Sequence, residues 1–117
     1  MKPTSRILAI VLLGVAIYPS WLFAQSDSSA LFKSKCALCH GDDGSGATPT
    51  GRALKAKDLC SDEVQKNSDP ELTEAVTKGR KKMPAFGQKL KPDQIQQLVA
   101  YIRHIGKKMI QAVEIYR

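Results

Sequence analysis

Cys36-Ala37-Leu38-Cys39-His40 brings together the residue types that can hold one prosthetic group. Two thiols in a C-x-x-C spacing can add to the two vinyl groups of a porphyrin, and the His directly after them can ligate the iron. This is the attachment signature of a c-type haem. Other chemistries share the pair. A thioredoxin-like couple needs a βαβ frame, and no such pattern surrounds Cys36. A zinc site needs further ligands at close spacing, and only Cys60 and His104 remain, far apart in the chain. A Cys36–Cys39 disulfide would close too short a loop to add much stability. One haem c, held through Cys36 and Cys39 with His40 on the iron, is therefore the expected cofactor.

The start of the chain indicates a compartment. Lys2 and Arg6 precede an apolar run from Ile7 to Tyr18, Pro19-Ser20 breaks it, and Leu22-Phe23-Ala24 leads into polar Gln25-Ser26-Asp27. That order reads as a secretory signal peptide over residues 1–24, cleaved after Ala24. The competing reading is a retained anchor, but the apolar stretch is near the lower limit for a bilayer span. Haem c is assembled outside the cytoplasmic membrane, so export and C-x-x-C-H support each other. Residues 25–117 then form one small domain. Its own apolar core is marginal, and a covalently held porphyrin would complete it. Cys60 is left without a partner, either as a small buried hydrophobe or as an exposed thiol able to dimerise.

The elements that must position these groups are helical. Ser28 or Ser29 can cap a helix running through Leu31 and Phe32 into the Cys pair. Gly41 to Gly46 makes a turn-rich loop, continued by Thr48-Pro49-Thr50-Gly51. Ser68-Asp69-Pro70-Glu71 is a capping box with an early Pro, Leu72, Ala75 and Val76 form an apolar stripe, and Gly79 ends that helix. Arg80 to Leu90 is a basic loop holding Met83-Pro84-Ala85-Phe86-Gly87. Pro92 opens a last helix whose Ile95, Leu98, Val99, Ile102 and Ile105 recur at helical spacing, with Gly106 as the expected stop. Residues 107–117 extend this helix or fray. The expected fold is all-α, with three main helices and long loops that need something to order them.

Four features together resemble the class I cytochromes c, of the small bacterial periplasmic kind (c6- and c-551-like). They are Phe32 four residues before Cys36, the Cys36-Cys39-His40 motif, the Met83-Pro84-Ala85-Phe86-Gly87 loop, and Leu98-Val99-Ala100-Tyr101-Ile102 on the last helix. The resemblance spans residues 30–105. It implies long loops wrapped around one haem, and Met83 as the second iron ligand opposite His40. A thioether is a soft neutral donor that raises the reduction potential, and Pro84 restrains Met83 to extended backbone. His104, near the end of a helix, is a poor rival. The family's proximal His donates to the carbonyl of a Pro in the loop after the motif. Pro49 is the candidate here, as the sole Pro between His40 and Pro70.

The chain carries 18 Lys plus Arg against 11 acids. Lys33 and Lys35 flank the attachment site, and Lys78, Arg80, Lys81, Lys82, Lys89 and Lys91 bracket Met83. In the class I arrangement both groups lie near the exposed haem edge, which implies steering toward acidic docking surfaces on redox partner proteins. Export argues against nucleic acid. No carboxylate pair or activated nucleophile suggests an enzyme. The expected protein is a monomeric periplasmic carrier of single electrons. Alternatives are a haem subunit of a larger oxidase or dehydrogenase complex in a membrane, with Lys107 to Arg117 as its docking segment, a gas-binding or peroxidase haem protein if Met83 does not ligate, and a thiol redox protein without haem. Lys91 stands at the N-cap of the last helix, where Ser, Thr or Asp would be favoured.

Overall fold

Local sequence signals account for most of the helix boundaries. The computed structural model describes residues 21–117. Most of the expected export segment, residues 1–20, lies outside the described residues. Six helices follow in order: α1 (Trp21–Lys35), α2 (Ala37–His40), α3 (Pro49–Leu54), α4 (Asp62–Gln65), α5 (Asp69–Lys78) and α6 (Pro92–Ile115). Among the described residues the only β feature is an isolated bridge between Arg80 and Met83. The all-α expectation holds, with α1, α5 and α6 as the three main helices and three short helical pieces in the connections.

The start of α5 is dictated locally. Ser68 Oγ accepts from the Glu71 N–H while the Glu71 carboxylate accepts from the Ser68 N–H at 2.6 Å. Both orphan donors of the first turn are satisfied. Gly79, at φ +72, turns the chain out of the helix. The start of α6 solves the Lys91 problem differently. The side-chain oxygen of Gln94 accepts from the Lys91 N–H at 2.9 Å, so the cap comes from inside the helix.

Two expectations on boundaries are corrected. Neither Ser28 nor Ser29 caps α1, because helical backbone already begins at Trp21. Ser28 is buried within the helix, and Ser29 Oγ lies 3.4 Å from Tyr101 Oη. Gly106 does not end α6. It is buried against Gln65, whose side-chain amide would lie 2.5 Å from any Cβ added there. Its missing side chain allows close packing, and α6 continues to Ile115.

The core forms where α1 and α6 cross and α5 packs alongside α6. Phe32, Leu98 and Val99 are its most deeply buried side chains, joined by Leu72, Val76, Ile95 and Ile102. Each large apolar side chain buried this way contributes about 2 kcal/mol. The Phe32 and Tyr101 rings meet at 5.0 Å between centroids, tilted by 45°, an arrangement that suits their quadrupoles. Leu31, Cys36, Ala37, Cys60 and Met83 pack against this cluster. Arg103 locks the assembly. Its guanidinium donates to Gln65 O at 2.6 Å, to Asn67 O, and to Asp69 Oδ1 at 2.9 Å. Gln65 in turn donates to Leu59 O and Ile102 O.

Candidate haem site

The Cys pair sits on a single helical turn. Cys36 N–H bonds to Phe32 O at 2.8 Å, and the N–H groups of Cys39 and His40 both reach Cys36 O, at 3.2 and 2.9 Å. Helical spacing puts Cys36, Cys39 and His40 on one face, as positions i, i+3 and i+4. Thr48 holds the turn from below. Its hydroxyl donates to Leu38 O at 2.7 Å and accepts from the Gly51 N–H at 2.9 Å, which also caps α3. Gly51 has to be glycine, since a Cβ would stand 2.1 Å from Cys39 O.

No two of Cys36, Cys39 and Cys60 are joined by a disulfide. Burial, and then the neighbouring Cys39, pushes the Cys36 thiol up to about 11. An activated redox cysteine is shifted the other way. Cys60 is half-buried and its Sγ lies 3.3 Å from Asp43 O. Burial raises its pKa as well, followed by the charges of Asp58 and Asp43.

His40 is oriented by a residue the sequence did not mark. Its Nδ1 lies 2.9 Å from Lys57 O. Pro49, the expected acceptor, is instead exposed at the first position of α3, where its fixed φ starts a helix. With Nδ1 donating to Lys57 O, Nε2 is the ring nitrogen left available as a ligand. Gly46 makes this approach possible. At φ +72 its N–H bonds to His40 O at 2.7 Å, and an added Cβ would lie 2.7 Å from Ala56 O and 3.2 Å from Lys57 O. The side chain of Lys57 is tied outward to Glu63 at 2.6 Å.

Met83 lies in a loop closed at several points. Arg80 and Met83 exchange backbone bonds at 2.8 and 3.2 Å, with Lys81 between them in the left-handed region at φ +53. Phe86 N–H bonds to Val76 O and Gly87 N–H to Thr77 O, both at 3.0 Å. Gly79 allows the loop to fold back, because a Cβ there would stand 2.5 Å from Met83 O. Met83 is half-buried against the apolar cluster that also receives Cys36. His104 is exposed beside Tyr101, with 6.4 Å between ring centroids.

Residues 24–102 match the family model described as cytochrome C oxidase, cbb3-type, subunit III. The chain is 32% identical to cytochrome c6 of Nostoc sp. strain PCC 7120, over 87% of this chain and 93% of that protein. It is also 32% identical to cytochrome c6 of Gloeothece citriformis, over 90% and 94%. A solved structure, the KustC0563 c-type cytochrome, superposes with a TM-score of 0.62 at 32% identity, covering 67% of this chain and 95% of that one. This chain belongs to the cytochrome c family. As a cytochrome c it carries a covalent haem c and is a small electron-transfer protein, an electron carrier with no enzymatic activity of its own.

The donor set of this cytochrome fits the group. Two cysteine side chains and an imidazole share one helical face, the imidazole is fixed through Nδ1, and the Met83 thioether lies against the apolar cluster that also receives Cys36. Haem c supplies an iron that gains and loses one electron. The chain supplies attachment, ligand orientation and a water-poor surround.

Proposed function

We propose that this protein is exported, loses residues 1–24 by cleavage after Ala24, and works as a monomer over residues 25–117, shuttling single electrons outside the cytoplasmic membrane. Cys36 and Cys39 would hold the haem, and His40 and Met83 would ligate its iron. The observation that carries this reading is the pairing of a fixed imidazole with a strapped methionine loop. His40 is held by Lys57 O, and Met83 by its own turn and by the bonds from Phe86 and Gly87 to the end of α5. A neutral imidazole and a thioether on the iron would raise the potential.

Redox partners are met through charge. Lys78, Arg80, Lys81, Lys82, Lys89 and Lys91 are exposed around the Met83 loop. Lys78 is partly neutralised by Glu74 at 2.7 Å, and Lys89 leans over the Phe86 ring. The remaining cations favour acidic docking surfaces. A second reading is favoured by one comparison. The chain is 31% identical to the cbb3-type cytochrome c oxidase subunit FixP of Azorhizobium caulinodans, although it spans 28% of that protein. In that reading the domain is one haem unit of a membrane complex.

Visible spectra of the haem-loaded protein test the assignment. The expected result is a sharp reduced spectrum indifferent to carbon monoxide, and a weak sulfur-to-iron band in the oxidised form that Met83→Ala abolishes. A carbon monoxide shift in the wild type would show an open distal site and replace the carrier by a gas-binding or peroxidase function. Recovery of the protein only within a membrane complex would favour the oxidase-subunit reading.

A further inference from the structure

The apolar stripe of α6 continues past the point where the domain body stops. Ile95, Leu98, Ile102 and Ile105 are buried against the core, and Gly106, packed on Gln65, is the last buried residue of the helix. Met109, Val113 and Tyr116 follow at the same intervals of three and four, with Ile110 beside them. Met109 and Val113 lie on the same face of α6, and Tyr116 caps its end at the next position of that spacing. Their exposure climbs along the helix, from 46% at Met109 through 58% at Val113 to 91% at Tyr116. The other side carries Lys107, Gln111 and Glu114, with Lys108 and Arg117 on the flanks. Ile115 is also exposed but lies off the stripe.

We propose that residues 107–117, the last turns of α6 and the two residues that follow them, are a docking segment for an anionic lipid surface, lying in the plane of the headgroups. Continuity with the buried face of α6 gives the segment its apolar side. Lys107, Lys108 and Arg117 outweigh the single Glu114, so its charge complements anionic headgroups. Lysines on the flank of such a helix can keep their ammonium groups in water while their stems cover apolar surface. Tyr116 has the amphipathic ring favoured at the headgroup level. No described helix is long and apolar enough to cross a membrane, so contact by this segment is contact with a surface. A second copy is the poorer occupant. An antiparallel pair that sets Met109 against Tyr116 also sets Lys108 against Arg117, like charge on like charge. The proposal does not depend on which residues ligate the iron.

The test is co-sedimentation of the exported holoprotein with vesicles of phosphatidylglycerol in phosphatidylcholine, and with phosphatidylcholine alone. Binding is expected only to the anionic vesicles. The pair Met109→Glu with Val113→Glu should weaken it at least about tenfold. Lys107→Gln and Lys108→Gln should each weaken it about fivefold. A chain ending at Lys108 should lose binding to the same extent as the Glu pair. The visible spectrum and Tm should not move, because these side chains are exposed. Three results would overturn the proposal. One is no binding to anionic vesicles. Another is equal binding by the Glu pair, which would put the membrane contact in another segment, such as the basic loop around Met83. The third is a concentration-dependent doubling of mass without lipid that the Glu pair abolishes, which would make the occupant a second copy of this chain.

Discussion

Replacing Gly46 by Ala should raise the reduction potential while lowering the stability. Three costs add. An alanine at φ +72 is strained by about 1–2 kcal/mol. Its Cβ would stand 2.7 Å from Ala56 O, a backbone atom that must move, and forced repacking costs about 1–3 kcal/mol. The shift draws Lys57 O away from His40 Nδ1, whose hydrogen bond contributes about 1 kcal/mol. At about 4–8 °C per kcal/mol for a domain of this size, Tm should fall by at least about 12 °C. With His40 on the iron, as proposed, the hydrogen bond would make the imidazole a stronger donor and so favour ferric iron. Its loss favours ferrous iron. A difference of about 0.5–1 kcal/mol between the two states corresponds to a rise of about 20–40 mV. Gly44→Ala is the matched control. It is equally strained at φ +78, but its Cβ meets the flexible end of Ile105, away from His40. That variant should lose stability with its potential within about 10 mV of the wild type. Spectroelectrochemical titration and thermal melts of the three proteins decide. An unchanged potential in Gly46→Ala, or the same shift in both variants, would refute a role for the Lys57 carbonyl in tuning the iron.

Arg103→Gln removes the shared donor to Gln65 O, Asn67 O and Asp69. It should cost about 2–3 kcal/mol in denaturant titrations, and Arg103→Lys should recover only part, since one ammonium cannot span a forked set of acceptors. Acid should destabilise the protein. Asp43, Glu63, Glu71 and Glu74 are all held below their ordinary values, by hydrogen bonds from Ser45, Lys57, Ser68 and Lys78 respectively. Their stabilisation is complete above the ordinary carboxylate value of about 4.5 and is lost as pH falls through the lowered folded values. Lys78, raised by Glu74, adds the opposite limb, lost as pH climbs through its folded value above 10.5. Thermal melts should therefore show a plateau at neutral pH with a decline below pH 4.5, and a flat profile there would contradict the assignment. Electron exchange with an acidic redox protein should slow at least about tenfold between low and physiological salt, and Lys81→Glu with Lys82→Glu should flatten that dependence. Stopped-flow rates measure both.

What could be read from the chain, and what could not, follows from the range of each interaction. Cys36, Cys39 and His40 are neighbours whose chemistry is local, and Ser68 with Glu71 closes a capping box within four residues. Both were legible. Lys57 was not, because its contribution to His40 is a backbone carbonyl, which every residue possesses. Only the Gly46 turn, which brings residues 56 and 57 under the His, distinguishes it. Gly106 misled for a related reason. Its absent Cβ serves Gln65, forty-one positions away, and a glycine near a helix end reads as a stop unless that partner is known. Arg103 bridging to residues 65–69 likewise joins segments separated by 34 to 38 positions.

The loop around Met83 and the end of α5 have a shared fate. A helix leaves its last carbonyls without partners, and Val76 O and Thr77 O receive theirs from Phe86 and Gly87 in the loop. Each element terminates the other. The loop cannot swing outward without orphaning the last turn of α5, and that turn cannot unravel without releasing the loop. Displacement of the methionine from its place is thus a cooperative opening of two elements rather than the wandering of a surface segment. In hydrogen exchange, the amides of Phe86 and Gly87 should keep pace with those of the last turn of α5, at one common rate.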